Sequence, residues 1–308
     1  MSQGFEPQDD FEYSESYPDV SSPIVWSILS TLCCCLPAGI VSIVYASQVN
    51  SLLSVGAFQQ AKKAAGAAKI WALISCFLGI IPILFVLVGL LLPAVQSVRG
   101  AAQDMQNQNN LKIVSLAMLN CSMLNHEQLP AAYTVNEDGQ RLHSWRVAIL
   151  PFIEEEELYK QIRLDEPWDS EWNKQFHDKC PKCFQNPLAE LAPGETTYAV
   201  VVGENTAFPG SEGISLNGMK DGLSNTGMIT ERSPVCWMDP NSDITFEEAI
   251  KGVNVSPNGI RSYSMGKFFV VTCDCAVGKL SDTVTSDFLS GLFDRQDGED
   301  IDLGEYMR

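Results

Sequence analysis

The hydrophobic pattern of this chain changes character twice. Residues 20–61 and 70–98 contain no Asp, Glu, Lys or Arg, and between them only Lys62, Lys63 and Lys69 carry charge. After Val98 the sequence turns polar, "RGAAQDMQNQNN" at 99–110. Apolar residues then return at Leu111, Val114, Leu116, Leu119 and Met123 or Leu124. That mixed three- and four-residue spacing predicts an amphipathic helix. Asn125-His126-Glu127, followed by Leu129-Pro130, ends it. No turn signal separates the apolar run from the amphipathic one. The pattern therefore predicts one helix that is lipid-compatible in its first half and packed on a globular head in its second.

Length decides what the apolar runs can do. The first, about residues 23–46, offers about 24 apolar or small residues where a spanning helix needs ~20. Pro37-Ala38-Gly39 interrupts it, and either a kinked span or a re-entrant hairpin fits. The second, residues 70–98, would extend roughly 43 Å at ~1.5 Å per residue, beyond a ~30 Å hydrocarbon core. Its last turns are expected to leave the lipid, and Pro82 and Pro93 to kink it without ending it. Lys62, Lys63 and Lys69, with no acid among them, predict a short basic loop held in the cytoplasm. The second run then carries the C-terminal part to the opposite side. Ahead of both runs, residues 1–20 hold six acids and no base, which predicts a disordered tail and not a signal peptide.

Beyond residue 125 the elements shorten. Trp145–Phe152 reads as a short helix or strand, and Ile153–Arg163 as a helix with Glu154–Glu157 at its electropositive start. Thr196–Gly203, Gly227–Glu231 and Lys267–Cys273 read as strands. In the last of these Phe268, Phe269, Val270 and Val271 are consecutive, which implies burial on both faces. Residues 233–262 look loop-rich, with a short helix at 245–251. The expectation is an α+β protein: membrane helices, the second continuing as a long helix packed on an antiparallel-sheet head. The domains are a disordered tail at 1–20, a membrane module at 21–98 and a segment at 83–308. That last segment comprises the long helix to about 125 and a globular head at 126–308.

Charge narrows the function. Of 38 acids and 20 bases in 308 residues, 32 acids and 17 bases lie from residue 70 onward. An acidic head of this kind excludes nucleic acid, which is bound mostly through Lys and Arg on phosphates. No phosphate loop, dinucleotide fingerprint or G-x-S-x-G element occurs, and none of His126, His143 and His177 lies beside such a nucleophile motif. No enzyme activity and no cofactor are expected. The tail at 294–305 lacks the spacing of a calcium loop. The head's cysteines are Cys121, Cys180, Cys183, Cys236, Cys273 and Cys275. Cys180 and Cys183 with Cys273 and Cys275 suit a disulfide set or unpaired buried thiols, a tetrahedral zinc site, or a redox pair, and the sequence leaves these open.

Two stretches carry family resemblances. Pro23, Trp26, "STLCCCLPAGIVSIVYASQVN" at 30–50, Gly56-Ala57 and "AAKIWALIS" at 67–75 resemble the dispanin family of interferon-induced-transmembrane-protein-like proteins, over about residues 21–92. The resemblance implies a membrane-embedded module with a cytosolic loop, in a family associated with oligomerisation and altered membrane behaviour. Cys33, Cys34 and Cys35 match the family's membrane-proximal cysteines. From about residue 83 to 300 the chain resembles the pilin-like domain of unknown function 1559, a general-secretion-pseudopilin-like family. The carrying stretches are "LLLPAVQSVRGAAQDMQNQNNLK" from Leu90, "LHSWRVAILPFIEEEELYKQIRLDEPWDSEWNKQF" at 142–176, "PGETTYAVVVGENTAF" at 193–208 and "MKDGLSNTGMITE" at 219–231.

Three features depart from the pilin-like pattern. No Glu lies in residues 70–98. Ser264 and Asp274-Cys275 stand where relatives have a His and an Asp-Gly pair. Cys180-Pro181-Lys182-Cys183 holds two cysteines where relatives commonly have one. Together these readings imply a non-enzymatic, pilin-like protein anchored in the cytoplasmic (inner) membrane. Its head is expected outside the cytoplasm, with a structural or interaction role at the cell envelope. The expected partners are the lipid bilayer, further copies through the membrane module, and secretion or envelope proteins. The alternative is a pseudopilin-like or solute-binding component of a secretion or transport system.

Overall fold

In the computed structural model, residues 36–298 are described, together with 24, 25 and 28. The expectations for the tail at 1–20, for Cys33, Cys34 and Cys35, for much of the 23–46 run and for residues 299–305 lie outside the described residues. The chain divides into two compact units, Met1–Ser97 and Val98–Arg308.

In the first unit, helix α1 spans Leu36–Ser54. Pro37-Ala38-Gly39 falls in its first turn, where a proline is tolerated. The backbone reverses at Gly56 instead, at φ 75°. There Ala57 N–H donates to Leu52 O at 3.0 Å and Gly56 N–H to Leu53 O at 3.1 Å. This is a Schellman stop, which needs the left-handed conformation that glycine adopts without a Cβ penalty. Helix α2 then runs Phe58–Leu124. Lys62, Lys63 and Lys69 therefore lie on this helix and not in the loop the charge pattern predicts. The reversal is complete by Ala57, and "AKKAAGAAK" is rich in strong helix formers. The two helices meet through small residues. Ser42, Ala46 and Val49 of α1 and Ala61, Ala64, Ala65 and Ala68 of α2 are buried, and Ser42 Oγ donates to Ala68 O at 2.9 Å. Small side chains allow such close backbone approach.

In the second unit, α2 presents Asn107, Asn110, Leu111, Val114, Ser115, Ala117, Met118 and Ser122 to the core. The predicted stripe holds at Leu111, Val114 and Leu119, but Leu116, Met123 and Leu124 face outward. Asn107 and Asn110 turn the helix: both are buried by hydrogen bonds that hydrophobic periodicity cannot register. The helix stops at Leu124, with His126 at φ 55° and Glu127 at φ 61°, at the stop the sequence predicts.

The hairpin of β1 (Tyr133–Val135) and β2 (Arg141–Ser144) leads into helices α3 (Trp145–Ala148) and α4 (Glu156–Gln161). The main sheet contains β3 (Glu195–Val202), β4 (Gly227–Cys236), β5 (Ile244–Thr245), β6 (Lys267–Thr272) and β7 (Val277–Ser281), in the order β5-β3-β4-β6-β7. It is antiparallel except that β5 runs parallel to β3, pairing Val201 with Ile244. The head is the expected antiparallel sheet on a long helix, and its one parallel edge has a topological reason. The chain leaves β4 beside Glu195, at the start of β3, and so passes along β3 in its own direction. Helix α5 (Phe246–Ala249), capped by Thr245, follows in the 245–251 window the pattern predicts.

Both faces of the sheet are covered. Tyr198, Val200, Phe269 and Val271 join the core beneath α2, with Leu111, Val114 and Met118. Their alternates Ala199, Val201, Phe268 and Val270 pack with Leu289, Leu292 and Phe293 of helix α6 (Ser286–Phe293). This is the two-faced burial implied by four consecutive apolar residues. Helix α6 itself has no counterpart among the expected elements, because eight residues are too few for its periodicity to stand out.

Candidate functional site

The chemistry-bearing side chains of the head concentrate under α2. Glu231, in β4, is fully buried. Its Oε1 accepts from Asn107 Nδ2 and from Asn186 Nδ2, each at 2.8 Å, and its Oε2 accepts from Phe269 N–H at 2.9 Å. Tyr198 O–H donates to Asn107 Oδ1, and Asn186 also reaches Thr197 Oγ1 at 3.0 Å. No cation faces the carboxylate among these contacts. Burial pushes its pKa up to about 7, and the three donors oppose that shift. One turn earlier on the helix, Asp104 pairs with Lys279 at 2.5 Å and accepts from Ser264 Oγ at 2.9 Å. Gln103 Nε2 donates to Pro187 O at 3.0 Å. These groups form a polar seam binding the helix to β4, β6, β7 and the loop before β3.

A second buried centre lies around Arg146 in α3. Its guanidinium pairs with Asp243 at 3.1 Å, and donates to Tyr198 O and to Ser144 Oγ at 2.8 Å. Asp243 Oδ1 also accepts from Trp145 Nε1 at 3.0 Å and from Val200 N–H at 3.2 Å. Burial raises the Asp243 pKa, and the Arg146 charge pulls it back. The pair ties α3 to the middle of β3 and to the start of β5. Neither Glu231 nor Arg146 is among the residues singled out from sequence. For Arg146 the signal was present, a lone charge inside the apolar stretch "SWRVAIL"; Glu231 sits beside Arg232 and reads as the polar end of a strand.

Cys121, Cys180, Cys183, Cys236, Cys273 and Cys275 are all free thiols. Cys180 and Cys183 flank the turn into a one-turn helix at Lys182–Phe184, and burial pushes both thiols up to about 12. Cys273 ends β6 and is likewise raised by burial. Cys275 sits in the β6–β7 turn at φ 64°, the backbone that glycine favours. Among the described residues no three His, Cys, Asp or Glu side chains converge as a metal set. Cys180, Cys183, Cys273 and Cys275 are thus not assembled as a zinc tetrahedron, and they form no disulfide in this structure. Raised thiols are poor nucleophiles at neutral pH, because the thiolate is the reactive form.

The histidines are placed by packing. His143 is buried, with Nε2 3.2 Å from Arg163 O, and burial lowers its pKa. His177 stacks on Trp168 with ring centroids 4.9 Å apart, and His126 is exposed at the helix stop. A shallow cleft of about 440 Å³ is lined by Met105, Gln108, Asn109, Lys112 and Val277. Its one charged group, Lys112, donates to Cys275 O at 2.7 Å.

The helix itself carries a further feature. Within Leu84–Leu124 an 18-residue window has a mean hydropathy of 1.7 and is 0% buried, enough by length and composition to cross a membrane. Residues 18–86 match the family model described as interferon-induced transmembrane protein. Residues 96–189 match the model described as protein of unknown function DUF1559. The chain thus carries, in this order, a stretch similar to each of these two families. No curated protein and no solved structure matches it. The two family matches and the bare apolar helix fit a membrane-anchored protein. The DUF1559 match takes in the lower spine, α3 and the Cys180–Cys183 turn, and ends ahead of β3.

Proposed function

We propose that this protein is a non-enzymatic, pilin-like membrane protein whose DUF1559 head stands outside the cytoplasm and serves a structural or interaction role at the cell envelope. One observation carries the reading. From Leu84 to Val98 helix α2 is exposed and apolar, and the same helix becomes the packed spine of the head from Asn107 onward. A helix bare of protein partners over an apolar run is stable in lipid, where its backbone groups are satisfied internally. Lys62, Lys63 and Lys69 at the start of α2 support a cytoplasmic entry and an outward head. The absence of enzymatic chemistry is supported by the seam itself, in which Glu231, Asn107, Asn186 and Tyr198 satisfy one another away from solvent.

The test is fractionation followed by topology mapping. The full chain should stay with membranes through an alkaline carbonate wash. A reporter active only outside the cytoplasm should work when fused after residue 298. Release by carbonate would refute the anchor, and activity of a cytoplasm-only reporter would refute the orientation. Crosslinking in intact membranes then separates self-association through the interferon-induced-transmembrane-type segment from docking on secretion or envelope proteins.

A further inference from the structure

The strands give a ruler for the end of the head nearest the apolar run. Lys112 of α2 touches Cys275 O in the β6–β7 turn, and Asp104 touches Lys279 in β7. Eight helical residues, about 12 Å, therefore match four strand residues, about 13 Å, so β7 runs nearly antiparallel to α2. Continuing along β7, Ser281 lies about 7 Å beyond Lys279 and pairs with Lys267 at the start of β6. Measured on the helix, 7 Å before Asp104 is about residue 99. Arg99 is the first charge after the apolar run.

At that level the chain makes a tight turn. Lys267 N–H donates to Ser264 O at 2.6 Å, and Gly266 takes φ 73°. The residue at its tip is Met265, 103% exposed, the most exposed large apolar side chain of the described residues. The turn is held to the helix by Ser264 Oγ on Asp104 and to β7 by Asp282 N–H on Gly266 O at 2.9 Å. An apolar tip is thus tied to the helix at Asp104, within about two turns of Arg99.

We propose that the Ser264–Lys267 turn is a second membrane contact, with Met265 seated at the boundary of headgroups and acyl chains. The inference rests on the reading that the apolar run of α2 lies in a bilayer. The headgroup layer is ~5–8 Å deep on each side, so a tip level with Arg99 falls within it. Methionine suits the place, being flexible, polarizable and free of hydrogen-bonding demand. Lipid is favoured as occupant because the tip lies near the level of Arg99, the first charge after the apolar run, and is a single side chain, too small for a stable protein interface. With the head fixed at two points, its rotation about α2 is restricted.

The experiment places a photoreactive benzophenone side chain singly at position 88, 123 or 265 of the full chain, in phosphatidylcholine vesicles. Irradiation and mass spectrometry then identify adducts. Position 88 lies in the apolar run. Met123 is exposed at the far end of the spine and serves as the aqueous control. The proposal expects lipid adducts at 88 and 265, with 265 about tenfold or more above 123, the partition that burying one such side chain gives. Lipid adducts at 88 with 265 no higher than 123 overturn it while leaving the anchor standing, as does a protein adduct at 265. No lipid adduct at 88 overturns the anchor reading and this inference together.

Discussion

Single side chains of the head carry two tests. Glu231 is a buried acid with three donors and no partner cation, and its carboxyl sits near pH 7 in the folded head against an ordinary value of 4.5. The folded state therefore keeps the proton longer than the unfolded chain. This group's contribution is most favourable below about pH 4.5, declines as pH rises toward 7, and is constant above. The full decline corresponds to about 3 kcal/mol. The thermal midpoint of the chain in detergent, followed from pH 5 to 8, should fall for this reason. Glu231→Gln should flatten that difference and cost about 1–3 kcal/mol at pH 5, because one amide N–H₂ must face an existing donor. A parallel pH profile in the variant would show that another group titrates. Glu154 offers the opposite case. It is exposed at φ 65° just before α4, in the left-handed position that lets Glu155 N–H close the preceding turn on Leu150 O at 3.1 Å. Glu154→Gly should raise stability by about 0.5–1 kcal/mol in chemical denaturation, since glycine occupies that region without the Cβ penalty.

Between elements, the decisive joint is Arg146 and Asp243. The guanidinium fork serves Tyr198 O, Ser144, Ser242 and Asp243 at once, from a side chain with no exposure. Arg146→Met should cost about 3–5 kcal/mol, because it leaves Asp243 charged and buried with only Trp145 and Val200 as donors. Arg146→Lys should recover little of this, since a lysine cannot reach the several acceptors a planar fork holds. Denaturant midpoints of the two variants check both statements. The same joint marks the limit of what hydrophobic periodicity conveys. Strand β6 was legible because four consecutive apolar residues need two covered faces, and the spine was legible because its apolar positions recur at helical spacing. The facing of the spine was not, since Asn107 and Asn110 turn inward for hydrogen bonds that a polarity pattern reads as solvent-directed. Nor was the parallel edge β5, two residues long, whose direction follows from where β4 ends. The polar seam was hidden for a related reason: Asn107, Asn186 and Glu231 are 45 to 124 residues apart and meet only through the fold.

At the scale of the whole chain, the two units differ in what their surfaces demand. Both hydrophobic clusters of the head, beneath α2 and beneath α6, are built from residues 111–293, and the polar seam begins at Gln103. Nothing in them draws on residues 1–97. A fragment of residues 98–308 should therefore fold by itself, with only the first turn of its helix fraying, as helix ends do without partners. It carries 32 acids and 17 bases, a net of −15, and this charge should keep it monomeric despite Ile113, Leu116, Met123 and Leu124 on the outer face of the spine. The expected result is a single cooperative thermal transition with a near-ultraviolet dichroism signal from the buried Trp145 and Trp237, and a monomer in size-exclusion chromatography at low salt. The charge also sets the direction of change. Raising the salt screens the repulsion, so any association through the outer face should strengthen. A compact fragment lacking the near-ultraviolet signal and the cooperative transition would mean that the head cannot hold its packing without the membrane unit. The spine would then be ordered from the lipid side, and not, as the seam and the two clusters indicate, by the sheet it lies on.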